Sequence, residues 1–564
     1  MKYYLTVCIM ILVNSVTAQS LEWVNGFGGS SEDLGQAMCL DPEGNILLTG
    51  RFRQTIDFTP SGQSSPLTSN GSLDVFLLKM DAQGNVLWAK SFGGPGVDRV
   101  EAIYCDALGN IYLTGQFAQT VDFDPNTGVS ELTSNGNFDT FILKLDTFGG
   151  FLWVKGFGGS GPDNSTGIAV DDNGTVYTTG YFNNAVDFDT GQVEEIISAI
   201  GQEDIFIHCL TSSGEFVWVK TFGGSNQDQT SSIVIDNSGN LIVGGWYRNT
   251  INFDENGSDD GLISTVSDNW DAFLLKLDSS GSFVWVRSVG GEDQDRILAI
   301  ALDNQDNVFA TGFFEGTADF DPGSESANLS TAQNSENTFV IKLDQGGAYQ
   351  WAKSFKGGPQ NNEGNGIDAD EEGNVYTTGA FIGTVDFDPS SSSNVNLTAS
   401  FSNLYVQKMD SDGIFQWVSS SEGSGTDKAL AITIEDSGEI YLTGEFQDSV
   451  DFLEGPGTNE PINQGDEDIF ILKIAQETTG LGDAENIIGA IAYPNPTSAF
   501  MKIQFHKPTP HVRMKLTDIM GQLVWEEYHE VVERCTIELG DSRGLYFLQM
   551  EAGGRQAIMK LLKQ

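Results

Sequence analysis

The chain has 564 residues, with 79 Asp+Glu against 28 Lys+Arg, a formal charge of −51 and a sequence pI near 4.1. That length exceeds one ordinary domain of about 100–200 residues, and the acid excess excludes nucleic-acid binding through cationic contacts to phosphate and docking on anionic lipid. The 66 glycines, 11% aromatic and 39% hydrophobic residues describe a turn-rich folded chain, not a disordered acidic tail.

The N-terminus reads MKYYLTVCIMILVNSVTAQS. Lys2 supplies a positive start, Leu5 to Val13 an apolar stretch, and Val16-Thr17-Ala18 small residues at a cleavage site. Residues 1–18 therefore read as a secretory signal peptide, and no later stretch approaches the ~18 apolar residues of a membrane-spanning helix. Four cysteines follow the signal: Cys39, Cys105, Cys209 and Cys535. They form no CxxC or Cys/His cluster and read as buried small hydrophobes. Cys39 and Cys105 are one repeat apart but one residue out of phase, so alternation sends them to opposite strand faces and no bridge is expected.

Internal repetition fixes the architecture of residues 19–475. Trp23, Trp88, Trp153, Trp218, Trp285, Trp351 and Trp417 recur at spacings of 65, 65, 65, 67, 66 and 66. Gly50, Gly115, Gly180, Gly245, Gly312, Gly379 and Gly444 form a second register, and Asp57, Asp122, Asp187, Asn252, Asp319, Asp386 and Asp451, each before Phe, a third. Short alternating segments such as VEAIYCD, NIYLTGQF, FDTFILKLD and GFLWVKGFGG are separated by D-x-x-G turns, giving about four antiparallel strands per unit. That is the content of one propeller blade. Each marker has a structural explanation: tryptophans packing between blades, FGG runs permitting tight corners, and Asp bonding its own turn backbone.

One class of turn begins at Asp41, Asp106, Asp171, Asp236, Asp303, Asp370 and Glu435, the other at Asp81, Asp146, Thr211, Asp278, Asp344 and Asp410. The seventh unit thus ends after DIFILKIA (468–475) without a Trp strand, while LEWVNGFGG (21–29) is unpartnered at the opposite end. The predicted fold is all-β: a seven-bladed β-propeller closed by the N-terminal strand, followed by a small β-sandwich. The repeats, for example VDFDPNTGVSELTSNGNFDTFILKLDTFGGFLWVKGFGG (121–159), resemble bacterial β-propeller repeats of the SBBP type. The resemblance implies an exported propeller and no particular activity.

Chemistry-bearing residues are sparse. Residues 19–483 carry 70 acidic and 18 basic residues, net −52, and one histidine, His208. His-dependent triads and His-rich metal centres are therefore not expected there, and no phosphate-cradling loop is present. The V-D-F-D segments, with A-D-F-D at 318–321, place two carboxylates on one strand face: Asp122 with Asp124, Asp187 with Asp189, Asp319 with Asp321, and Asp386 with Asp388. These pairs are candidate calcium ligands, although no dense D-x-[DN]-x-[DN]-G loop accompanies them; no other cofactor is implied. Trp246, Tyr247 and Trp270, where units depart from consensus, are candidate exposed aromatics for a ligand platform.

Residues 476–489 read as a linker. From 484 to 564 acids and bases balance at nine each, and short strand patterns recur. The landmarks Tyr493-Pro494-Asn495-Pro496, Asp518 and Gly521 in TDIMGQLV, Gly544-Leu545-Tyr546, and Lys560 and Lys563 near the C-terminus occur in order. Residues 490–564 thereby resemble the C-terminal sorting domain of the type IX secretion system of Bacteroidota. The resemblance implies recognition by that machinery at the outer membrane and delivery to the surface or medium.

The expected function is a non-enzymatic exported binding or scaffold protein, monomeric, with a protein or glycan ligand carried on loops of one ring face. The rival expectation is an extracellular polysaccharide hydrolase or lyase. It requires carboxylates of raised pKa that break the repeat pattern within one pocket.

Overall fold

The computed structural model describes residues 18–59, 66–189, 191, 193–254, 257–265, 267–332, 335–358, 361–390, 393–435, 437–448, 450–452, 461, 463–477, 490–493, 500–518, 523–538, 544–552 and 555–563. The chain divides into two compact units, the larger being Leu21–Ala475. The predicted signal peptide lies outside the described residues up to position 17, as does most of the predicted linker, whose first two residues continue the strand Asp468–Glu477.

The larger unit is built from four-stranded antiparallel blades, in the manner of a β-propeller. In the first, Leu34–Leu40, Ile46–Phe52, Asp74–Met80 and Val86–Phe92 hydrogen-bond in that order. The same order recurs in the sheets opened by Arg99–Cys105, Asn164–Val170, Gln229–Ile235, Asp295–Leu302, Glu363–Ala369 and Lys428–Ile434. In the sheet opened by Lys428–Ile434, the outer place beside Asp468–Glu477 is taken by Ala18–Phe27. The opening strands touch one another in chain order, and Leu34–Leu40 also touches Lys428–Ile434.

The turns form as expected. Asp41 Oδ1 accepts the amides of Glu43 and Asn45, both at 2.9 Å, and Gly44 takes φ 77°. The tryptophans lie between blades: Trp23, Trp153 and Trp351 each donate their indole N–H to a turn carbonyl of the following blade, at Ala82 (3.2 Å), Ser212 (3.2 Å) and Ser411 (3.0 Å). The FGG glycines are not corner residues of positive φ. A Cβ on Gly28 would lie 2.0 Å from the Asp468 carboxylate, and on Gly158 2.4 Å from Asp139, so these glycines make room for buried acids.

Cys39 and Cys105 carry free thiols, yet they pack against one and the same core cluster. Alternation is correct within each strand. Successive blades, however, stack face to face, so opposite faces of neighbouring sheets meet. Cys209 is buried, while Cys39, Cys105 and Cys535 are half-buried.

Two buried charge series tie the blades together. Lys79 pairs with Asp41 (2.7 Å) and donates to Thr147 O in the next blade (3.2 Å); Lys276 pairs with Asp236 (2.7 Å) and donates to Gln345 O (3.1 Å). Because loss of one partner strands the other's charge, Lys276→Met is expected to cost about 3 kcal/mol, read by urea titration.

The second series is Asp33, Asp98, Asp163, Asp228, Asp295 and Asp427, with Asn362 at the equivalent place. Asp98 accepts the amides of Gly94 (2.7 Å) and Ala118 (3.1 Å), joining three backbone segments. Burial pushes Asp98 and Asp228 up to about 6, Asp33, Asp163 and Asp427 up to about 7, and Asp295 up to about 8. Nearby Asp74, Asp139 and Asp468 are likewise raised by burial to about 6. A raised folded pKa gives stability that is complete below the unfolded value near 4 and is lost as pH rises through about 6–8. The unit should therefore melt lower at about pH 8.5 than at about pH 5.5, and Asp98→Asn should flatten that slope in pH-dependent thermal scans.

The C-terminal unit is a five-stranded hydrogen-bonded sheet, not two separate sheets. Its strand Phe500–Asp518 pairs with Ala490–Tyr493 at one end and Gly544–Ala552 at the other. Its ladder to Leu523–Glu538 shifts between Gln504 and Thr509, where Pro508 lacks a donor. Ile503 and Phe505 before the shift share one core with Val512, Met514 and Leu516 after it. Asp518 pairs with Tyr546, and Gly544 with Lys563, across adjacent strands. Tyr546 is buried; Tyr493 and Lys560 lie in strands, and Pro494, Asn495, Pro496 and Gly521 lie outside the described residues.

Candidate functional site

The opening strands of all these blades line one cavity of about 840 Å³. Each opening strand carries a β-bulge near its start, between Gly35 and Ala37, Val100 and Ala102, Ser165 and Gly167, Thr230 and Ser232, Ile297 and Ala299, Gly364 and Gly366, and Ala429 and Ala431. A bulge re-aims its extra residue. Here those residues are Gln36, Glu101, Thr166, Ser231, Leu298, Asn365 and Leu430, all of which line the cavity.

The glycine register exists to permit this bulge. A Cβ on Gly245 would lie 2.2 Å from the carbonyl oxygen of Gln229, and on Gly50 1.9 Å from that of Leu34. Gly245→Ala is accordingly expected to destabilise the unit by several kcal/mol, on the order of the larger core-overpacking penalties, as measured by denaturant midpoint.

Around this end of the cavity the repeats stop resembling one another. The cross-strand pairs beside the bulge are Leu34 with Arg51, Arg99 with Gln116, Asn164 with Tyr181, Gln229 with Trp246, Arg296 with Phe313, Glu363 with Ala380, and Lys428 with Glu445. One position further along the second strand, towards its start, every unit has glycine. Some bulge residues close onto neighbours: Ser231 Oγ donates to Ile297 O (2.7 Å) and Asn365 Nδ2 to Ala429 O (3.1 Å).

Trp246 and Trp270 come together here, with ring centroids 5.3 Å apart. The Arg296 guanidinium lies 4.6 Å from the Trp246 ring, 4.4 Å from Trp270 and 5.7 Å from Phe313. The expectation of an exposed three-residue platform is corrected in two respects. Trp246 is only 7% exposed and borders the cavity; Tyr247 is fully buried, its hydroxyl 2.7 Å from Ser288 Oγ. Adjacent residues of one strand face opposite sides, so the two cannot share a surface.

The electrostatics break the repeat as well. Burial raises Glu101, offset by Arg51 and Arg99. Burial, then neighbouring Glu363 and Glu315, pushes Glu336 up to about 6. His208 lies elsewhere: burial lowers it to about 4, and its Nε2 is 3.0 Å from Phe188 O.

The V-D-F-D carboxylates serve loops. Asp122 Oδ1 accepts the amides of Asp124 (3.1 Å) and Ser130 (2.8 Å), while Asp124 Oδ1 accepts that of Asn126 (2.9 Å). Asp187 and Asp189, Asp319 and Asp321, and Asp386 and Asp388 repeat this arrangement. Among the described residues, no group of three or more His, Cys, Asp or Glu side chains is arranged to hold a metal ion.

Residues 491–564 match the family described as the secretion system C-terminal sorting domain. The chain is 22% identical over 510 residues to an uncharacterized WD repeat-containing protein, L264, of Acanthamoeba polyphaga mimivirus, covering 76% of this chain and 36% of that protein. It is 23% identical over 314 residues to the regulatory protein FlaEY of Caulobacter vibrioides, covering 52% of this chain and 30% of that protein. The chain thus spans about a third of the length of these relatives. The sorting tail marks a protein secreted through the type IX system to the cell surface or extracellular space. Among the described residues no helix is long and apolar enough to cross a membrane.

Proposed function

We propose that this chain is a non-enzymatic binding module, exported with an N-terminal signal peptide and displayed or released by the type IX machinery. Its blades number seven and form a ring closed by Ala18–Phe27. Its ligand, a protein or a glycan, sits at the end of the cavity where the opening strands begin. One observation carries this: side chains diverge around that end, whereas the turns, the glycine register and the buried Asp series are nearly constant. A scaffold alone needs no such divergence, while a binding face does.

A second reading, a polysaccharide hydrolase or lyase, is favoured by Glu336, which stands at the same end and has a raised pKa; Glu203 and Glu467 hold the equivalent place in two other blades, so the environment and not the residue type sets Glu336 apart. Incubation of the purified chain with a polysaccharide panel, with and without calcium, separates the two. Saturable binding without product supports the module; product formation abolished by Glu336→Gln supports the enzyme.

A further inference from the structure

Arginine is scarce in this acidic unit and unevenly placed. Residues 19–483 contain six, and five of them, Arg51, Arg53, Arg99, Arg248 and Arg296, stand at the divergent end of the strands. Lysine supplies the buried cations between blades instead. Arg51 pairs with Glu32 (3.3 Å) and Arg248 with Asp268 (3.2 Å).

Arg296 differs from these. Of the five arginines it is the one that lines the cavity, and among the described residues its guanidinium has aromatic partners but no hydrogen bond or ion pair; its Nε, like those of Arg51, Arg53 and Arg99, is buried without an acceptor. A buried donor left unmade is costly, the more so on a charged group. Trp246 and Trp270 flank the guanidinium, their ring planes 66° apart, and Glu336 and Glu363 act on it electrostatically without reaching ion-pair distance. A fixed planar fork is the geometry that reads a carboxylate with two parallel bonds.

We propose that Arg296 is a carboxylate-recognition group and that the cavity end takes an acidic sugar of a glycan. This rests on the assignment of the ligand to that end. The carboxylate meets the free edge of Arg296. The sugar hydroxyls meet Gln36, Thr166, Gln229, Ser231 and Asn365, neutral groups able to donate or accept. The net charge of −52 repels a densely charged polyanion, such as an acidic peptide, and favours an isolated carboxylate on a neutral, hydroxyl-rich body. The cavity, about 840 Å³, is of the size that encloses such a ligand.

The test is isothermal titration of the purified full chain with glucuronosyl-glucose, a disaccharide bearing a single carboxylate, its methyl ester and a glutamate tripeptide. The acid should bind, the ester at least about tenfold more weakly and the peptide not at all, as expected for loss of a charge-assisted pair. Arg296→Gln should weaken the acid by about tenfold or more and leave the ester unchanged. Arg296→Lys, which keeps the charge and the stem, should recover only part of the loss; matching thermal melts show that both variants fold. Equal binding of acid and ester, preference for the peptide, an unaffected Arg296→Gln variant, or no saturation by the acid would each overturn the inference. Equal binding of acid and ester that is abolished by Trp246→Ala leaves the ligand at this end and removes only the carboxylate. Binding indifferent to both substitutions removes the location as well.

Discussion

Deletion of residues 19–30 is expected to abolish cooperative folding of the whole propeller unit, although it removes a small part of the chain. The strand Ala18–Phe27 belongs to two blades by its contacts. On one side it adds to Asp468–Glu477, with Glu22 3.1 Å from Lys473 and the Trp23 ring 6.4 Å from Tyr441. On the other, Trp23 and Asn25 donate to the carbonyls of Ala82 (3.2 Å) and Gly84 (2.9 Å), and the Phe27 ring lies 5.3 Å from Phe58. Phe27 is 5% exposed, and truncating such a ring costs about 3–5 kcal/mol. With Trp23 and a strand of hydrogen bonds added, the loss reaches the 5–15 kcal/mol typical of total stability. Circular dichroism melts and limited proteolysis of the truncated protein check this; a retained sharp transition at the wild-type midpoint would contradict it.

Deletion of residues 490–564 should have the opposite profile: an intact propeller in the wrong place. The tail lies outside the unit Leu21–Ala475 and has a separate core around Ile503, Met514 and Leu548. Export should proceed to the periplasm and stop there. Cell fractionation with surface proteolysis should find nearly all of the truncated chain inside the outer membrane, with a wild-type melting curve. Unchanged surface delivery would refute the role of the tail.

Much of the fold is legible in the sequence because its determinants are local and repeated. A D-x-x-G turn reports its own geometry, and tryptophans 65–67 residues apart report identical packing sites. What depends on contact between blades is less legible. Alternation assigned Cys39 and Cys105 to opposite faces but could not say that those faces meet. The same limit hid the junction acids such as Asp98, which repeat as regularly as the tryptophans yet acquire meaning only beside Asp74 and Gly94. FGG glycines were readable as glycine-requiring positions, while the reason, a facing carboxylate, was not.

The candidate site was partly legible. Trp246 and Trp270 stood out as departures from consensus, and the structure brings them together. Strand alternation between Trp246 and Tyr247 already implied that only one could reach the cavity. Arg296 and the bulge residues are not legible in this way, because a bulge is invisible to strict alternation. Aligning the repeats and asking where they differ would have found both.

The central claim, a binding module whose ligand occupies the divergent end of the cavity, is most directly tested by locating binding on the blades. A polysaccharide and surface-extract panel should be bound by wild type and by a variant at the far side of the blades, Leu108→Ser, an exposed turn residue. The paired substitution Trp246→Phe with Arg296→Gln, which keeps a ring in the buried place, should lose nearly all saturable binding while keeping the fold, as its melting curve checks. Binding that survives the paired substitution and is lost in Leu108→Ser would contradict the account.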